Sequence, residues 1–219
     1  PDKAAPILCA GITTYSPMKH FGLKSGQTLG VAGIGGLGHM AVQIGKALGA
    51  KVVALTTSPE KREAIAALGA DEVIVMEDED ALKDAAQSLD MLIDTIPYPH
   101  DIADYLGLMK PNTTLVVVGN MMQFDAFSPG PMVFNRIAVS GSLIGGIADT
   151  QEVLELCAKH DIRPEIKQVD IADINDVFEK VKAEDARFRY VIDMKSLKNK
   201  RGDLSPETVE NPVRGEVVG

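Results

Sequence analysis

The sequence predicts an α/β protein with a doubly wound parallel sheet, and three observations support this prediction. Short apolar runs alternate with helical stretches between residues 28 and 140, as in a parallel sheet that is covered by helices on both faces. A glycine-rich turn joins the first apolar run to the first helical stretch. The segments on either side of this alternation do not continue it. We therefore expect a Rossmann-type sheet with flanking pieces of a second lobe.

The first strand–turn–helix–strand unit is the most informative part of the chain. Apolar runs at residues 28–32 and 51–56 predict two strands with a helix between them. The turn before this helix reads Gly33-Ile34-Gly35-Gly36-Leu37-Gly38. In such a unit Gly33 permits the tight turn, Gly35 lets the backbone approach a pyrophosphate, and Gly38 lets the helix pack close to the strand.

This turn predicts a dinucleotide-binding site. The unpaired amides at the start of the helix face the phosphates, and the helix dipole favours negative charge there. We expect Gly36 and Leu37 to contact the cofactor together with the three glycines named above. The alternative is a glycine-rich turn that binds nothing, but the second strand completes a βαβ unit and argues against it.

The residues after the second strand predict which dinucleotide is bound. A site selective for NAD usually has an acidic residue about 20 residues beyond the glycines. Here Thr57 and Ser58 offer hydroxyls, and Lys61 or Arg62 offers positive charge, which suits a 2′-phosphate. We therefore expect NADP(H) rather than NAD(H). Glu60 argues against this expectation, because it is an acidic residue in the same region. Alternatively, Ser58 simply caps the next helix, and both roles are compatible.

The remaining segments complete the sheet and then leave it. The predicted strands are residues 28–32, 51–56, 71–75, 91–94, 114–118 and 137–140. The predicted helices between them are residues 39–48, 60–68, 81–88 and 101–109, and their connections should be right-handed. Beyond the sheet we expect helix, strand, helix and strand at residues 150–159, 166–169, 174–183 and 190–193.

These assignments divide the chain into four parts. Residues 1–25 form a helical lead-in, residues 26–147 the dinucleotide-binding domain, and residues 148–195 a return towards a second lobe. Residues 196–219 are polar and rich in helix breakers, which predicts a disordered tail. The sequence begins at Pro1, inside a predicted helix, so we expect that residues upstream of it are missing.

Composition excludes several classes of function. The 219 residues are 45% hydrophobic, which suits a globular chain with a sizeable core. A net charge of −9 and a pI near 4.9 argue against a nucleic-acid partner. No stretch has the length of a membrane span. Two cysteines, Cys9 and Cys157, give no disulfide framework, which predicts a reducing, cytoplasmic location.

Several motifs between residues 4 and 193 belong together. They are Ala5-Pro6-Ile7-Leu8-Cys9-Ala10-Gly11, Tyr15-Ser16-Pro17, Gly35-Gly36-Leu37-Gly38-His39, Leu68-Gly69-Ala70-Asp71, Asp94-Thr95, Gly141-Ser142-Leu143-Ile144-Gly145 and Arg187-Phe188-Arg189-Tyr190. With these motifs the chain resembles the zinc-dependent medium-chain dehydrogenases, specifically their cinnamyl-alcohol-dehydrogenase-like branch. The resemblance implies that the flanking pieces belong to a GroES-like catalytic lobe.

The resemblance also implies one ligand of a catalytic zinc ion, Cys9. Taken alone, a cysteine in an apolar helix is more often a small buried residue. A catalytic zinc needs three protein ligands and an open position. The family's other ligands, a cysteine and a Gly-His-Glu histidine, lie in an upstream lobe that this sequence lacks, so zinc binding by this chain stays open.

Further cofactor contacts follow from the same resemblance. Thr14 would face the nicotinamide end, and Thr95 would line the adenosine or ribose side. The nicotinamide and its ribose would be approached by Val118, Gly119, Ser142, Ile144 and Gly145. For Ser142 and Gly145 a plain strand-to-helix turn is the alternative.

None of the four histidines is expected to act as a catalytic base. His39 opens the helix after the glycine turn, where the family commonly has a histidine near the cofactor. His20 ends the lead-in helix, where a cation favours the helix dipole. His100 and His160 are predicted to be surface residues at helix ends.

The resemblance implies an NADP(H)-dependent oxidoreductase that interconverts primary alcohols, aromatic or aliphatic, and aldehydes by zinc-assisted hydride transfer. The chain as given is expected to be inactive alone, and residues 137–142 would pair two subunits into a homodimer through the sheet edge. The alternative is a non-catalytic NADP-binding or dimerisation module. A methyltransferase with the same fold is a weaker interpretation, because its sites often keep an acid where this chain has Thr56-Thr57-Ser58.

Overall fold

The large sheet has six parallel strands in the order β3-β2-β1-β4-β5-β6. The structure is a computed structural model, and it describes residues 2–119, 122–182 and 189–197. The strands are β1 (Thr28–Ala32), β2 (Lys51–Thr56), β3 (Glu72–Val75), β4 (Leu89–Asp94), β5 (Met109–Val117) and β6 (Ala138–Gly141). This arrangement confirms the predicted α/β fold with a doubly wound parallel sheet.

Helices connect the strands and cover both faces of the sheet. They are α1 (Ala10–His20), α2 (Gly38–Ala47), α3 (Arg62–Ala67), α4 (Glu79–Asp84), α5 (Ala103–Leu106), α6 (Gly130–Asn135), α7 (Ile147–Lys159) and α8 (Ile174–Lys182). Short 3₁₀ turns lie at Ala5–Leu8, Pro59–Lys61 and Ile171–Asp173. A separate parallel pair, β7 (Ile166–Asp170) and β8 (Arg189–Asp193), follows α7 in the chain.

Alternation along the central strands creates two apolar layers. In β2, Val52 and Ala54 join the layer under α1, α2 and α7, whereas Val53 and Leu55 join the layer under α4 and α5. Successive side chains of a strand point to opposite faces, so a strand that is apolar at every position is buried on both sides. The short apolar runs of the sequence carry this information directly.

The flanking helices α1 and α7 share one apolar cluster with α2 and the central strands, so no boundary in packing separates them from the sheet. They also contact each other. Tyr15 of α1 donates a hydrogen bond to Glu152 of α7 (3.0 Å), and Lys19 forms ion pairs with Asp149 and Glu152. The boundaries predicted at residues 25/26 and 147/148 therefore stay predictions. Of the predicted tail, residues 198–219 lie outside the described residues, as do residues 187–188 of the last motif.

One predicted helix is too long, and another helix was not predicted. The helix predicted at residues 101–109 ends at Leu106, because Gly107 follows it and Met109 already begins β5. The apolar run across this junction serves a helix first and a strand afterwards, which periodicity alone does not separate. Helix α6 was not predicted, because its segment has prolines at its start and no buried face.

Across the described residues, the structure contains no helix of the length and apolar character that a membrane crossing requires.

Candidate functional site

The turn between β1 and α2 lies at the carboxyl end of the central strands. Gly33 has a φ of +78°, a conformation that favours glycine. A Cβ atom added at Gly38 would lie 2.0 Å from the carbonyl oxygen of Gly33, so α2 approaches the turn at a distance that only glycine permits. This geometry agrees with the predicted steric roles of both glycines, while their contact with a cofactor stays a prediction.

The middle of the turn faces open space. A Cβ atom added at Gly35 would meet no atom within 4 Å, and Gly35 is exposed. Within the described part of the chain, none of the amides of residues 35–37 donates a hydrogen bond to a backbone carbonyl. Free amides at the start of a ten-residue helix favour an anion. Gly36 and Leu37 are half-buried in the same turn.

Thr95, directly after β4, is hydrogen-bonded to the glycine turn. Its hydroxyl donates to the carbonyl oxygens of Ala32 (3.0 Å) and Gly33, and the residue is 7% exposed. The sequence predicted Thr95 on the adenosine or ribose side of a cofactor. The structure shows that its hydroxyl is already engaged by the turn, so positioning the turn is its directly visible role.

Thr95→Val is expected to lower the free energy of unfolding by about 1–3 kcal/mol, because the Gly33 carbonyl loses its hydroxyl donor while the shape of the side chain is kept. The Ala32 carbonyl keeps the backbone amide of Thr95 as a donor (2.9 Å). Urea unfolding followed by circular dichroism measures the change. Thr95→Ser is the control, since it retains the hydroxyl. Equal stability of Thr95→Val and the wild type would contradict this supporting role.

The ends of β4 and β5 meet beside the turn. The amides of Val118 and Gly119 both donate to the carbonyl oxygen of Asp94 (2.9 and 3.2 Å). A Cβ atom added at Gly119 would lie 2.3 Å from the carbonyl group of Thr95. The structure therefore brings the predicted residues Gly33, Thr95 and Gly119 together at the carboxyl ends of the central strands, which is where α/β sheets bind ligands.

A cavity of about 550 Å³ adjoins the carboxyl ends of these strands. Val118, Ser142 and Phe124 are among its lining residues, so two of the residues predicted near the nicotinamide share one concave surface. Ile144 lies two residues after Ser142 and has a φ of +46°. Gly145 packs against α1, since a Cβ atom there would lie 2.7 Å from Cδ1 of Ile12.

Thr14 is placed differently from these residues. It is fully buried, and its hydroxyl donates to the carbonyl oxygens of Ala10 (2.9 Å) and Gly11 (3.2 Å) within its own helix. The hydroxyl is thus engaged by α1 itself. A contact between Thr14 and a cofactor stays a prediction.

The polar residues after β2 are available to a ligand. Thr57 and Lys61 are exposed and Ser58 is half-buried. The amide of Ser58 donates to Oγ1 of Thr56 (3.1 Å), whereas the Ser58 side chain makes no capping hydrogen bond. Neither Lys61 nor Arg62 forms an ion pair with another of the described residues. These groups suit a phosphate, and a cofactor contact there stays a prediction.

Arg189 on β8 is a residue whose role sequence reasoning missed. Its Nε donates to the carbonyl oxygen of Gly36 (3.1 Å), so a guanidinium lies against the glycine turn. Burial first, and then the charge of Arg189, lower the pKa of His39 to about 4. The contact spans 153 positions of sequence, and no local pattern marks an arginine in a short strand as a partner of a distant turn.

His100 is the histidine that the structure places differently from its prediction. Its side chain is 12% exposed, and its Nε2 lies 3.0 Å from Oδ2 of the fully buried Asp94. The prediction of a surface residue is therefore wrong, because the chain after β4 turns back and places His100 against the carboxyl end of that strand. His160 is exposed after α7, as predicted.

Cys9 immediately precedes α1 as its N-cap residue and does not lie in a helix. Its thiol is free and exposed, unlike that of a small buried core cysteine. Among the described residues, no group of three or more histidine, cysteine or acidic side chains is arranged to hold a metal ion. On their own, these residues do not form a catalytic zinc site.

Comparisons with known proteins agree with this geometry. The family model described as "Zinc-binding dehydrogenase" matches residues 36–159. The aldehyde reductase YahK of Escherichia coli (strain K12) is 44% identical over 88% of this chain and 56% of its own length. The chain spans about half the length of the curated relatives it matches.

Two solved structures extend the comparison to the fold. A cinnamyl alcohol dehydrogenase of Sorghum bicolor (SbCAD4) has a TM-score of 0.82 at 40% identity and covers 88% of this chain and 55% of its own. The CAD of Helicobacter pylori, complexed with NADP(H), has a TM-score of 0.77 at 40% identity with the same coverage. The family model covers more than half of the chain, from within the glycine turn to the end of α7, and so the chain belongs to the zinc-binding dehydrogenase family.

Proposed function

We propose that this chain is the NADP(H)-binding part of an oxidoreductase that interconverts primary alcohols, aromatic or aliphatic, and aldehydes. The observation that carries the proposal is the turn at residues 33–38, where amides without a backbone hydrogen bond precede α2 and a Cβ atom added at Gly35 would meet open space. The aldehyde reductase and cinnamyl alcohol dehydrogenase relatives support the reaction class. The relative that was complexed with NADP(H) supports the cofactor.

Each part of the site has a role in this proposal. The amides of residues 35–37 and the guanidinium of Arg189 bind the pyrophosphate, while Thr57, Ser58 and Lys61 bind the 2′-phosphate. The cavity lined by Val118 and Ser142 accommodates the nicotinamide. When bound, NADP(H) supplies or accepts the hydride, and the protein provides position and electric field. These residues hold the cofactor and exclude water at the carboxyl ends of the strands.

The zinc-assisted step requires more ligands than the described residues bring together. Cys9 is the one residue that the family resemblance assigns to zinc, and the described residues contain no group of three or more candidate ligands that could hold a metal ion. A complete zinc centre is therefore a proposal about a longer protein. The alternative, a non-catalytic NADP-binding or dimerisation module, predicts that NADPH binds without turnover of any alcohol or aldehyde, even in the complete product of the native gene.

A homodimer is the third part of the proposal. Strand β6 forms an edge of the sheet, and unpaired edge strands promote pairing with another chain. Large apolar side chains flank this edge, with Val133 74% exposed, Phe134 87% exposed and Leu143 69% exposed. Pairing of two β6 strands would cover them. Light scattering coupled to size-exclusion chromatography tests the mass in solution.

Titration of the full chain with NADPH and NADH, followed by cofactor fluorescence, tests the proposed function. Arg189→Ala is expected to weaken NADPH binding by about 10- to 100-fold, since a charge-assisted contact contributes about 1.5–3 kcal/mol. Arg163→Ala is the matched control, because Arg163 is an exposed arginine that pairs with Asp161 two residues away. Equal affinity of the two variants would contradict the pyrophosphate assignment, and absence of binding by the wild type would contradict the proposed function.

A further inference from the structure

A buried carboxylate and an imidazole meet directly after β4. Asp94 is fully buried, and its Oδ1 accepts a hydrogen bond from the amide of Ile96 (3.0 Å). Its Oδ2 lies 3.0 Å from Nε2 of His100. The other ring nitrogen of His100, Nδ1, lies 2.8 Å from the carbonyl oxygen of Tyr98. Neither side chain has a role in the function proposed above.

These contacts determine how many protons the pair must hold. A carbonyl oxygen only accepts, so Nδ1 must carry a proton for the contact with Tyr98. A neutral imidazole then has a lone pair at Nε2, which would face an ionised carboxylate. One further proton between Nε2 and Oδ2 is therefore required, whether it resides on His100 or on Asp94. Without it, two acceptors would lie 3.0 Å apart at a buried position.

The pair lies where the loops around the proposed cofactor site meet. The carbonyl oxygen of Asp94 receives the amides of Val118 and Gly119, and the next residue, Thr95, donates to the turn at Gly33. Across His100, edge-on rings of Tyr105 and Phe124 lie 5.9 and 5.7 Å away. The backbone of Asp94 and the hydroxyl of Thr95 thus tie the end of β4 to the end of β5 and to the glycine turn, and the contact between His100 and Asp94 holds the following loop at this junction.

We propose that Asp94 and His100 are positioning residues whose shared proton holds the segment of residues 95–100 in place, so that the order of the cofactor site decreases as the pH rises and the proton is lost. The effect on cofactor affinity rests on the proposed function. The effect on the segment itself does not.

The surroundings of the pair are consistent with this direction. Burial raises the pKa of Asp94 above its ordinary value, while the Ile96 amide and His100 oppose the rise. A raised pKa means that the folded state keeps a proton that the unfolded state has lost, so this stabilisation declines with rising pH. On α5, the pKa of Tyr105 is raised, mainly by burial and then by Asp94 and Asp104, so the Tyr105 hydroxyl stays neutral. Phe124, after β5, carries no charge.

Asp94→Asn tests the proposal, because it keeps the shape but changes the proton requirement. The side-chain oxygen of the introduced asparagine accepts from the Ile96 amide as Oδ1 did, and its NH₂ group donates to the neutral Nε2 of His100. In this variant, protonation of Nε2 would oppose two donors. The pH dependence should therefore reverse, with the segment less ordered at low pH in the variant and at high pH in the wild type.

Amide hydrogen exchange measures the order of the segment between about pH 6 and about pH 9. The protection factor of the Ile96 amide, which corrects for the intrinsic exchange rate at each pH, should fall in the wild type by up to about tenfold per pH unit, the limit for one proton. In Asp94→Asn it should rise with pH. Equal pH dependence in the two proteins would overturn the proposal.

Asp90→Asn is the matched control. Asp90 lies on the same strand and also accepts a backbone amide, that of Thr28 (2.8 Å), but its cation is Lys110 rather than a histidine. This variant should keep the wild-type direction of the pH dependence at Ile96. A reversal in Asp90→Asn would mean that any loss of charge from β4 has the effect, and it would overturn the specific role of the pair.

Two further measurements keep the proposal testable. Nitrogen NMR of the His100 ring in the wild type should show a protonated Nδ1 at pH 6, and a ring protonated at Nε2 alone would overturn it even if Asp94→Asn did not fold. The ratio of the NADPH dissociation constant of the wild type to that of Asp94→Asn should rise about tenfold from pH 6 to pH 9. A constant ratio would overturn the coupling to the cofactor site, whereas absence of NADPH binding by every protein would overturn the proposed function and leave the exchange result to decide.

Discussion

Gly38→Ala is expected to lower the free energy of unfolding by about 2 kcal/mol. Alanine is favoured over glycine in a helix by about 1 kcal/mol, which alone would stabilise α2. The added Cβ atom, however, would lie 2.0 Å from the carbonyl oxygen of Gly33. That contact is with backbone rather than with a flexible side chain, so relieving it costs about 3 kcal/mol, the upper end of the range for overpacking. The steric cost exceeds the gain in helix propensity, so the sign of the effect is clear.

Gly35→Ala is the matched control for this prediction, because the Cβ atom at this position would meet nothing within 4 Å. Its urea midpoint should lie close to that of the wild type, while its NADPH affinity falls if the cofactor approaches the turn as proposed. The two alanine variants thus separate the turn as a structural element from the turn as a binding site. Gly38→Ala with wild-type stability would show that α2 does not need its close approach to β1.

Ser58→Asp combined with Lys61→Ala is expected to raise the NADPH dissociation constant by about 100-fold or more and to lower that of NADH by about tenfold. The double change removes a hydroxyl donor and a cation, each contributing about 1.5–3 kcal/mol to a phosphate contact. It also introduces the carboxylate that NAD-selective sites use to bind the ribose 2′-hydroxyl. Parallel fluorescence titrations with the two cofactors measure the ratio.

Ser58→Ala combined with Lys61→Ala separates the two contributions. This control should lose NADPH affinity without gaining affinity for NADH, because it removes the phosphate contacts and adds no acid. If the aspartate variant binds NADPH as tightly as the wild type, the assignment of the 2′-phosphate to the residues after β2 is wrong. Glu60 would then be the first residue to examine for a contact with the ribose.

The sequence predicted the sheet because its signals are local. Each central strand is a short apolar run, and the glycine turn has fixed spacing, so β1, α2 and β2 could be located to within a residue or so. The apolar stretch around Leu106 and Met109 gave no such guide, because helix and strand both bury it. Helix α6 carries no apolar periodicity, and its packing depends on residues distant in sequence.

The site was only partly predictable for the same reason. Gly33, Thr95 and Gly119 each follow a predicted strand. Because these strands are parallel, their carboxyl ends lie together, and so the meeting of the three residues could be predicted. Arg189 reaches the turn from a strand outside the sheet, and His100 folds back onto Asp94 across a loop. Both contacts depend on how distant segments pack. The cytoplasmic location and the zinc ligand Cys9 stay predictions.

The central seam of the sheet joins strands that are distant in the chain. Leu29 of β1 pairs with Val52 of β2, but on its other side it pairs with Met91 of β4. Contacts between segments so far apart carry a greater loop-closure entropy and slow folding. Because β4 follows β1, β2 and β3 in the chain, the crevice along the β1–β4 seam cannot form until all four strands have been synthesised.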